Sequence, residues 1–325
     1  MGVLMCVTPL AAQSSLAFLN QNQPLLDAHN CYPDGGMHAD RLDRALSTGY
    51  PVSIEQDLAW YQDPATGDGW PVVTHSSAPD GVEPSLRGHF FEHVRPIVEQ
   101  ALAENQRESW PLIVVHFDFK DNRPALHEAV WSLLGEYQEW ITTAVKTGNP
   151  HELSPFDAKP LFVLSDSHAQ EDRFFNQVPV GEKLRIFGAT PSNPLPASAT
   201  PEERTALQVS APPDHLLTEP PTNYRRWWNN PWSIVEQGGQ EAAGDWTTDD
   251  EDRLRSLVDH AHAMGYWIRF YTLDGEDGRA AGGYHFGSSD AVRLRWKAAY
   301  QAGVDFIATD QYEELGDYMR QIGSN

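Results

Sequence analysis

Leu112-Ile-Val-Val-His-Phe-Asp-Phe-Lys120 is a short apolar run that turns polar at its end, and the stretch directly after it, Ala125–Val145, has helical periodicity. A short apolar or alternating run bounded by turn residues reads as a strand, and a 3.6-residue rhythm reads as a helix. Together they make one βα unit. Working outward in both directions, the unit recurs. The other strand signals are Leu25–Asn30, Val52–Leu58, Val72–His75, Leu161–Asp166, Leu184–Thr190, Tyr266–Asp274 and Val304–Asp310. Helical patterns lie at His38–Thr48, Phe91–Asn105, Asp249–Met264 and Ser289–Ala302, and Thr247-Thr248-Asp249 supplies an N-cap cluster for the third of these. Eight strand signals interleaved with helices predict one α/β domain over residues 14–325, a (β/α)₈ barrel. The pattern is weak after the second strand, where Tyr61–Trp70 reads as loop, and in the fifth and sixth units, and one segment does not fit it. Residues 191–248 are rich in Pro, Ala and polar side chains and far exceed the usual connection of about 2–6 residues. They read as an insertion after the sixth strand, lying over the carboxyl-terminal mouth and carrying Asn223-Tyr-Arg-Arg-Trp-Trp-Asn-Asn-Pro-Trp232. Gly275–Ser289, with five glycines, reads as a second mouth loop.

The chain has 325 residues, with 23 Lys and Arg against 46 Asp and Glu, for a net charge of −23. A surface this acidic repels phosphate backbones, which argues against nucleic acid as a partner and disfavours strongly anionic membranes. No run approaches the roughly 18 apolar residues of a membrane span. Two cysteines, Cys6 and Cys31, are too few for a zinc cluster or a disulfide framework. Residues 1–13 form a short apolar run ending in small residues, so they read as the remnant of a signal peptide or as an extension. The expected location is secreted or periplasmic, with cytoplasmic as the alternative.

Chemistry gathers at the ends of the strand signals. His29 and Asn30 close the first, Glu55 and Asp57 the second, His75 the third, His116, Asp118 and Lys120 the fourth, and Arg269 and Tyr271 the seventh. In a barrel these ends share one mouth. Glu55 and Asp57 are i and i+2 on one strand, so both face the same way, about 6.6 Å apart at Cα. Two like charges held that close at a buried strand end need a cation or a proton. Oxygen donors select a hard ion, Ca²⁺ or Mg²⁺, with Asp118 as a third carboxylate and Asn30 as a neutral oxygen. The plainer reading pairs these carboxylates with an Arg. His29 and His75 flank the set as candidate acid and base. Lys120 and Arg269 put positive charge where a phosphoryl group collects negative charge, or else Lys120 only positions Asp118. Trp227 and Trp228 with Tyr271 are candidate substrate contacts, the alternative being that the tryptophans pack their own loop.

At these residues the sequence resembles the phospholipase C-like phosphodiesterase superfamily. His29-Asn30-Cys31-Tyr32 and Ile54-Glu55-Gln56-Asp57-Leu58-Ala59-Trp60 are similar to the opening and second-strand motifs of calcium-dependent phosphatidylinositol phospholipases. Phe117-Asp118-Phe119-Lys120 resembles the Phe-Asp-x-Lys of sphingomyelinase D-type enzymes, and Val304–Asp310 the closing strand of glycerophosphodiesterases. The resemblance spans residues 25 to 312. It implies metal ligation by Asn30, Glu55, Asp57 and Asp118, acid–base work by His29 and His75, and a phosphodiester as substrate, a phospholipid head group or a glycerophosphodiester. Asn30 departs from the Arg usual in glycerophosphodiesterases, and the Cys pairs of secreted sphingomyelinases are absent. The expectation is a metal-dependent phosphodiesterase, with a sphingomyelinase D-type phospholipase as the alternative. A glycoside hydrolase would place its acid and base on opposite sides of the scissile bond, which Glu55 and Asp57 on one strand fit poorly. A non-catalytic binding barrel would be expected to have lost histidines or ligands that are all present here.

Overall fold

Parallel strands close a complete circle in the computed structural model, which describes residues 23–33, 37–196, 198–239, 243–275 and 286–323. In chain order the strands of the main sheet are β1 (Leu25–Ala28), β2 (Val52–Gln62), β3 (Gly69–Val73), β4 (Ile113–Phe119), β5 (Leu161–Ser165), β6 (Phe187–Thr190), β7 (Arg225–Pro231), β8 (Trp267–Tyr271) and β9 (Phe306–Thr309). Pairing runs β1-β9-β8-β7-β6-β5-β4-β2 and returns from β2 to β1. The eight barrel strands are parallel and β3 is antiparallel to its partner β2, while Thr143–Val145, Phe156–Asp157 and Lys183–Leu184 form a separate small antiparallel sheet. The fold is a (β/α)₈ barrel.

Helices follow the strands: α1 (Arg41–Ser47), α2 (Glu92–Glu104), α3 (Pro124–Glu136), α4 (Pro201–Ser210), α5 (Thr248–Met264), α6 (Ser289–Ala302) and α7 (Tyr312–Gly323). Their ends have local causes. Thr247 caps α5 in a reciprocal box with Asp250, and Gly265 ends it in the left-handed region (φ 92°). Ser288 caps α6 by accepting the Ala291 N–H, and Gly303 (φ 79°) ends it. No helix among the described residues is long and apolar enough to cross a membrane.

Two readings from the sequence change. Val72–His75 is not a barrel strand. β2 continues to Gln62 and β3 starts at Gly69, so only residues 63–68 connect them. A parallel crossover needs a dozen or more residues, and so short a connection yields a hairpin. The strand that completes the eight-stranded wall is instead β7, which lies within residues 191–248. That stretch is therefore partly barrel wall, lies beyond the fifth wall strand, and carries the sixth. The sequence signal was obscured because Arg225-Arg226-Trp227-Trp228-Asn229-Asn230-Pro231 has neither alternation nor a β-branched run. Residues 1–13 and most of the Gly275–Ser289 loop (276–285) lie outside the described residues.

Candidate active site

Strand alternation sends i, i+2 positions into the barrel, and the polar ones form two layers. The lower layer is a network of paired charges. Asp27 is fully buried, receives the Arg269 guanidinium through Nε, and lies 2.9 Å from His116 Nε2. The other His116 nitrogen, Nδ1, is 2.6 Å from Asp166. Arg269 also donates to Asn229 Oδ1 at 3.0 Å. Burial opposes every charge here, yet mutual attraction wins. Arg269 and His116 hold the Asp27 carboxyl far below its ordinary range, and the His116 imidazole is pushed up to about 10 by Asp166 and Asp27.

The upper layer opens on a cavity of about 890 Å³ at the mouth, lined by His29, Asn30, Glu55, His75, Asp118, Lys120, Asp166, Asn229, Arg269 and Tyr271 among others. Strand register aligns the carboxylates, because Asp57 pairs with Asp118 and Glu55 with His116 across β2 and β4. One oxygen from each of Glu55, Asp57 and Asp118 lies within 4.8 Å of the other two. Lys120 Nζ sits among them, 2.6 Å from Asp118 Oδ2 and 3.1 Å from Asp57 Oδ2. Asp57 is 1% exposed, and neither of its oxygens receives a well-aligned hydrogen bond. Burial and the neighbouring Glu55 push its carboxyl well above the ordinary range, against the pull of Lys120.

His29 is fixed from several sides. Its carbonyl accepts the Tyr312 hydroxyl (2.6 Å), and its Nδ1 lies 2.9 Å from Asp310, which Arg41 holds from behind at 3.1 Å. Its ring stacks near Tyr271, with centroids 6.1 Å apart, and Nε2 points toward Glu55 at 3.7 Å. Burial would lower its pKa, but Glu55 and Asp310 outweigh it and push the imidazole up to about 9. Asn30 takes the left-handed region (φ 51°), a conformation that Asn tolerates, and so turns its N–H onto Glu55 Oε2 at 2.7 Å. Its side-chain oxygen accepts the Tyr32 hydroxyl at 2.8 Å, and its Nδ2 donates to Asp310 at 3.0 Å. His75 reaches the mouth by way of the hairpin: the Thr74 N–H donates to the Asp57 carbonyl (2.9 Å), which returns the chain to the level of the carboxylates.

The sequence-predicted residues His29, Asn30, Glu55, His75, Asp118, Lys120, Arg269 and Tyr271 therefore line one cavity, with Asp57 just beneath it. Trp227 and Trp228 do not. Both are fully buried in the β7 wall, where Trp227 packs edge-on to His116 and Phe306 and Trp228 donates to Ser192 Oγ at 2.8 Å. Their expected role in closing over a substrate is corrected by that burial. Asp27, Arg41 and Asn229 went unread. Asp27 carried the clearest signal, a lone carboxylate inside an apolar strand at i−2 from His29.

The donor set at Glu55, Asp57 and Asp118 fits a hard cation. It is all oxygen, carries excess negative charge, and includes a buried carboxylate with no hydrogen-bond donor aligned to it. No family model and no curated protein sequence matches the chain. Among solved structures, it is similar to two glycerophosphodiester phosphodiesterases from Parabacteroides distasonis, each at 13% identity. One has a TM-score of 0.44 with 96% of this chain and 92% of that chain covered. The other has 0.43, with 93% and 98% covered. An HPPK-DHPS structure in complex with substrates is similar at 10% identity and a TM-score of 0.44, with 93% of this chain and 49% of that one covered. Likeness of this depth concerns the fold alone, and one fold hosts many chemistries.

Proposed function

We propose that this barrel is a phosphoric diester hydrolase that uses one Ca²⁺ or Mg²⁺ to cleave a phosphodiester, either a phospholipid head group or a glycerophosphodiester. The observation that carries the reading is the meeting at one mouth of two imidazoles, a three-carboxylate oxygen cluster and two cationic side chains. Glu55, Asp57 and Asp118 would hold the ion, with Asn30 beside them. Bound there, a divalent ion would offset the negative charge of the phosphoryl oxygens and favour ionisation of an attacking hydroxyl.

The chain's own residues do the rest. His29, kept protonated by Glu55 and Asp310, gives a proton to the leaving oxygen. His75 takes the proton from the attacking group, a substrate hydroxyl next to the phosphate or a water. Arg269 Nη2 is buried, free of hydrogen-bond partners and on a residue that lines the cavity, so it is placed to receive a non-bridging phosphate oxygen. Lys120 adds a second positive charge.

The test is release of p-nitrophenol from bis(p-nitrophenyl) phosphate by EDTA-treated protein, before and after Ca²⁺ or Mg²⁺ is returned. The reading expects activity that the ion restores, that Glu55→Ala lacks, and that His29→Ala lowers by about 10²–10⁴-fold. No turnover with either ion, together with no ion binding by calorimetry, would overturn it.

A further inference from the structure

Lys120 stands where a cation would stand. Its ammonium bridges Asp118 Oδ2 (2.6 Å) and Asp57 Oδ2 (3.1 Å), two of the three carboxylates whose oxygens come within 4.8 Å of one another. The bridge is incomplete. Glu55 lies outside it, and both Asp57 oxygens remain without an aligned hydrogen bond although the residue is 1% exposed. Lys120 therefore serves two of the three carboxylates, while Glu55 faces His29 Nε2 at 3.7 Å and Arg269 Nη2 at 3.8 Å. Lys120 also lines the cavity, with its side chain 19% exposed, so its flexible stem has open space to move into.

We propose that Lys120 is the resident counter-ion of this cluster and sets its affinity for divalent cations. This inference rests on the cation-dependent reading above. An ion entering between Glu55, Asp57 and Asp118 meets an ammonium within hydrogen-bond distance of two of its ligands. Like charges at that spacing repel, so binding requires Lys120 to leave Asp57 and swing into the cavity. The displaced ammonium then faces the space where a phosphate would sit. Cation loading and delivery of a phosphate-binding charge are thereby one event.

The experiment is calorimetric titration of the whole, EDTA-treated protein with Ca²⁺ and with Mg²⁺ at pH 8.5, where protons compete least for the carboxylates. Wild type is compared with Lys120→Met, which keeps the stem and removes the charge, and with Lys120→Arg, which keeps a charge. Thermal unfolding of each variant confirms that it is folded, and Lys120→Gln replaces the Met variant if that one is not. The expected result is at least tenfold tighter binding in the uncharged variant and no such gain with Arg. Equal or weaker binding in the uncharged variant would overturn the counter-ion role while leaving the cation-dependent reading intact. No ion binding to any of the proteins would overturn both.

Discussion

Two charged layers lie one above the other in this barrel, both built from carboxylates and cationic side chains, and they balance their charges differently. In the lower one, Asp27 meets Arg269 and His116, and His116 meets Asp166, so each buried charge has a partner of opposite sign. In the upper one, Lys120 bridges Asp57 and Asp118, Glu55 lies outside that bridge, and both Asp57 oxygens lack an aligned hydrogen bond. Attraction depresses the Asp27 carboxyl, while burial and a like charge raise that of Asp57. The paired network fixes the wall and floor, with Arg269 Nη2 left without a hydrogen-bond partner on its cavity side. An open one, beside a cavity, is where an outside charge can bind.

Breaking the lower layer should have the largest effect. Asp27→Asn removes the carboxylate that Arg269 and His116 share, leaving His116 with Asp166 (2.6 Å) and Arg269 with Asp166 and Glu55 at 3.8 Å, and should cost about 3–5 kcal/mol of unfolding free energy at pH 7. A depressed carboxyl stabilises the fold above the unfolded pKa of about 3.9 and loses that contribution as the pH falls. The deficit should therefore shrink below about pH 4. Urea unfolding followed by tryptophan fluorescence across pH measures it, and a pH-independent deficit would mean that shape rather than charge is lost.

The upper layer should answer with the opposite sign. Because the Asp57 carboxyl is raised, ionising it in the folded state costs stability as the pH climbs above about 4. In EDTA, Asp57→Asn should be as stable as wild type or more stable by up to about 1 kcal/mol at pH 7, with the advantage vanishing below about pH 4. Its cation binding should be lost. Strong destabilisation by this substitution would place Asp57 with the structural charges and erase the contrast.

The smallest effect comes from an ion pair that belongs to neither layer. His262 on α5 lies 2.9 Å from Asp305, which also accepts the Ile268 N–H at 2.8 Å. Burial lowers the His262 pKa, but Asp305 outweighs it and the net shift is upward. A raised imidazole stabilises fully below its unfolded value of about 6.5 and loses this as the pH rises through its folded value. His262→Gln should cost less than about 1 kcal/mol at pH 5.5, because the pair is partly exposed, and nothing at alkaline pH. Thermal unfolding at the two pH values checks it.

The contrast between the layers also explains what was legible in the sequence. Glu55, Asp57, Asp118 and Lys120 could be read because strand alternation alone puts i and i+2 on one face. His29 and His75 could be read because each ends a recognisable apolar run. The lower layer could not be assembled, since pairing Asp27 with Arg269 and His116 needs the closed strand order, which brings β1, β4 and β8 around one lumen. Strand β7 escaped for a related reason. Its Arg226 is buried over Phe156, 4.8 Å from the ring centre, and its tryptophans are buried in the wall, so a strand that reads as polar and aromatic is interior. The hairpin was misread because the end of β2 at Gln62 is set by pairing with β3 and not by composition.

The most direct measurement is a crystal of the protein soaked in Mn²⁺, with anomalous scattering used to locate the ion. The account predicts one peak among Glu55, Asp57 and Asp118, with Lys120 drawn away from Asp57. Lys120 still bridging Asp57 and Asp118, with no peak between the three carboxylates, would contradict it.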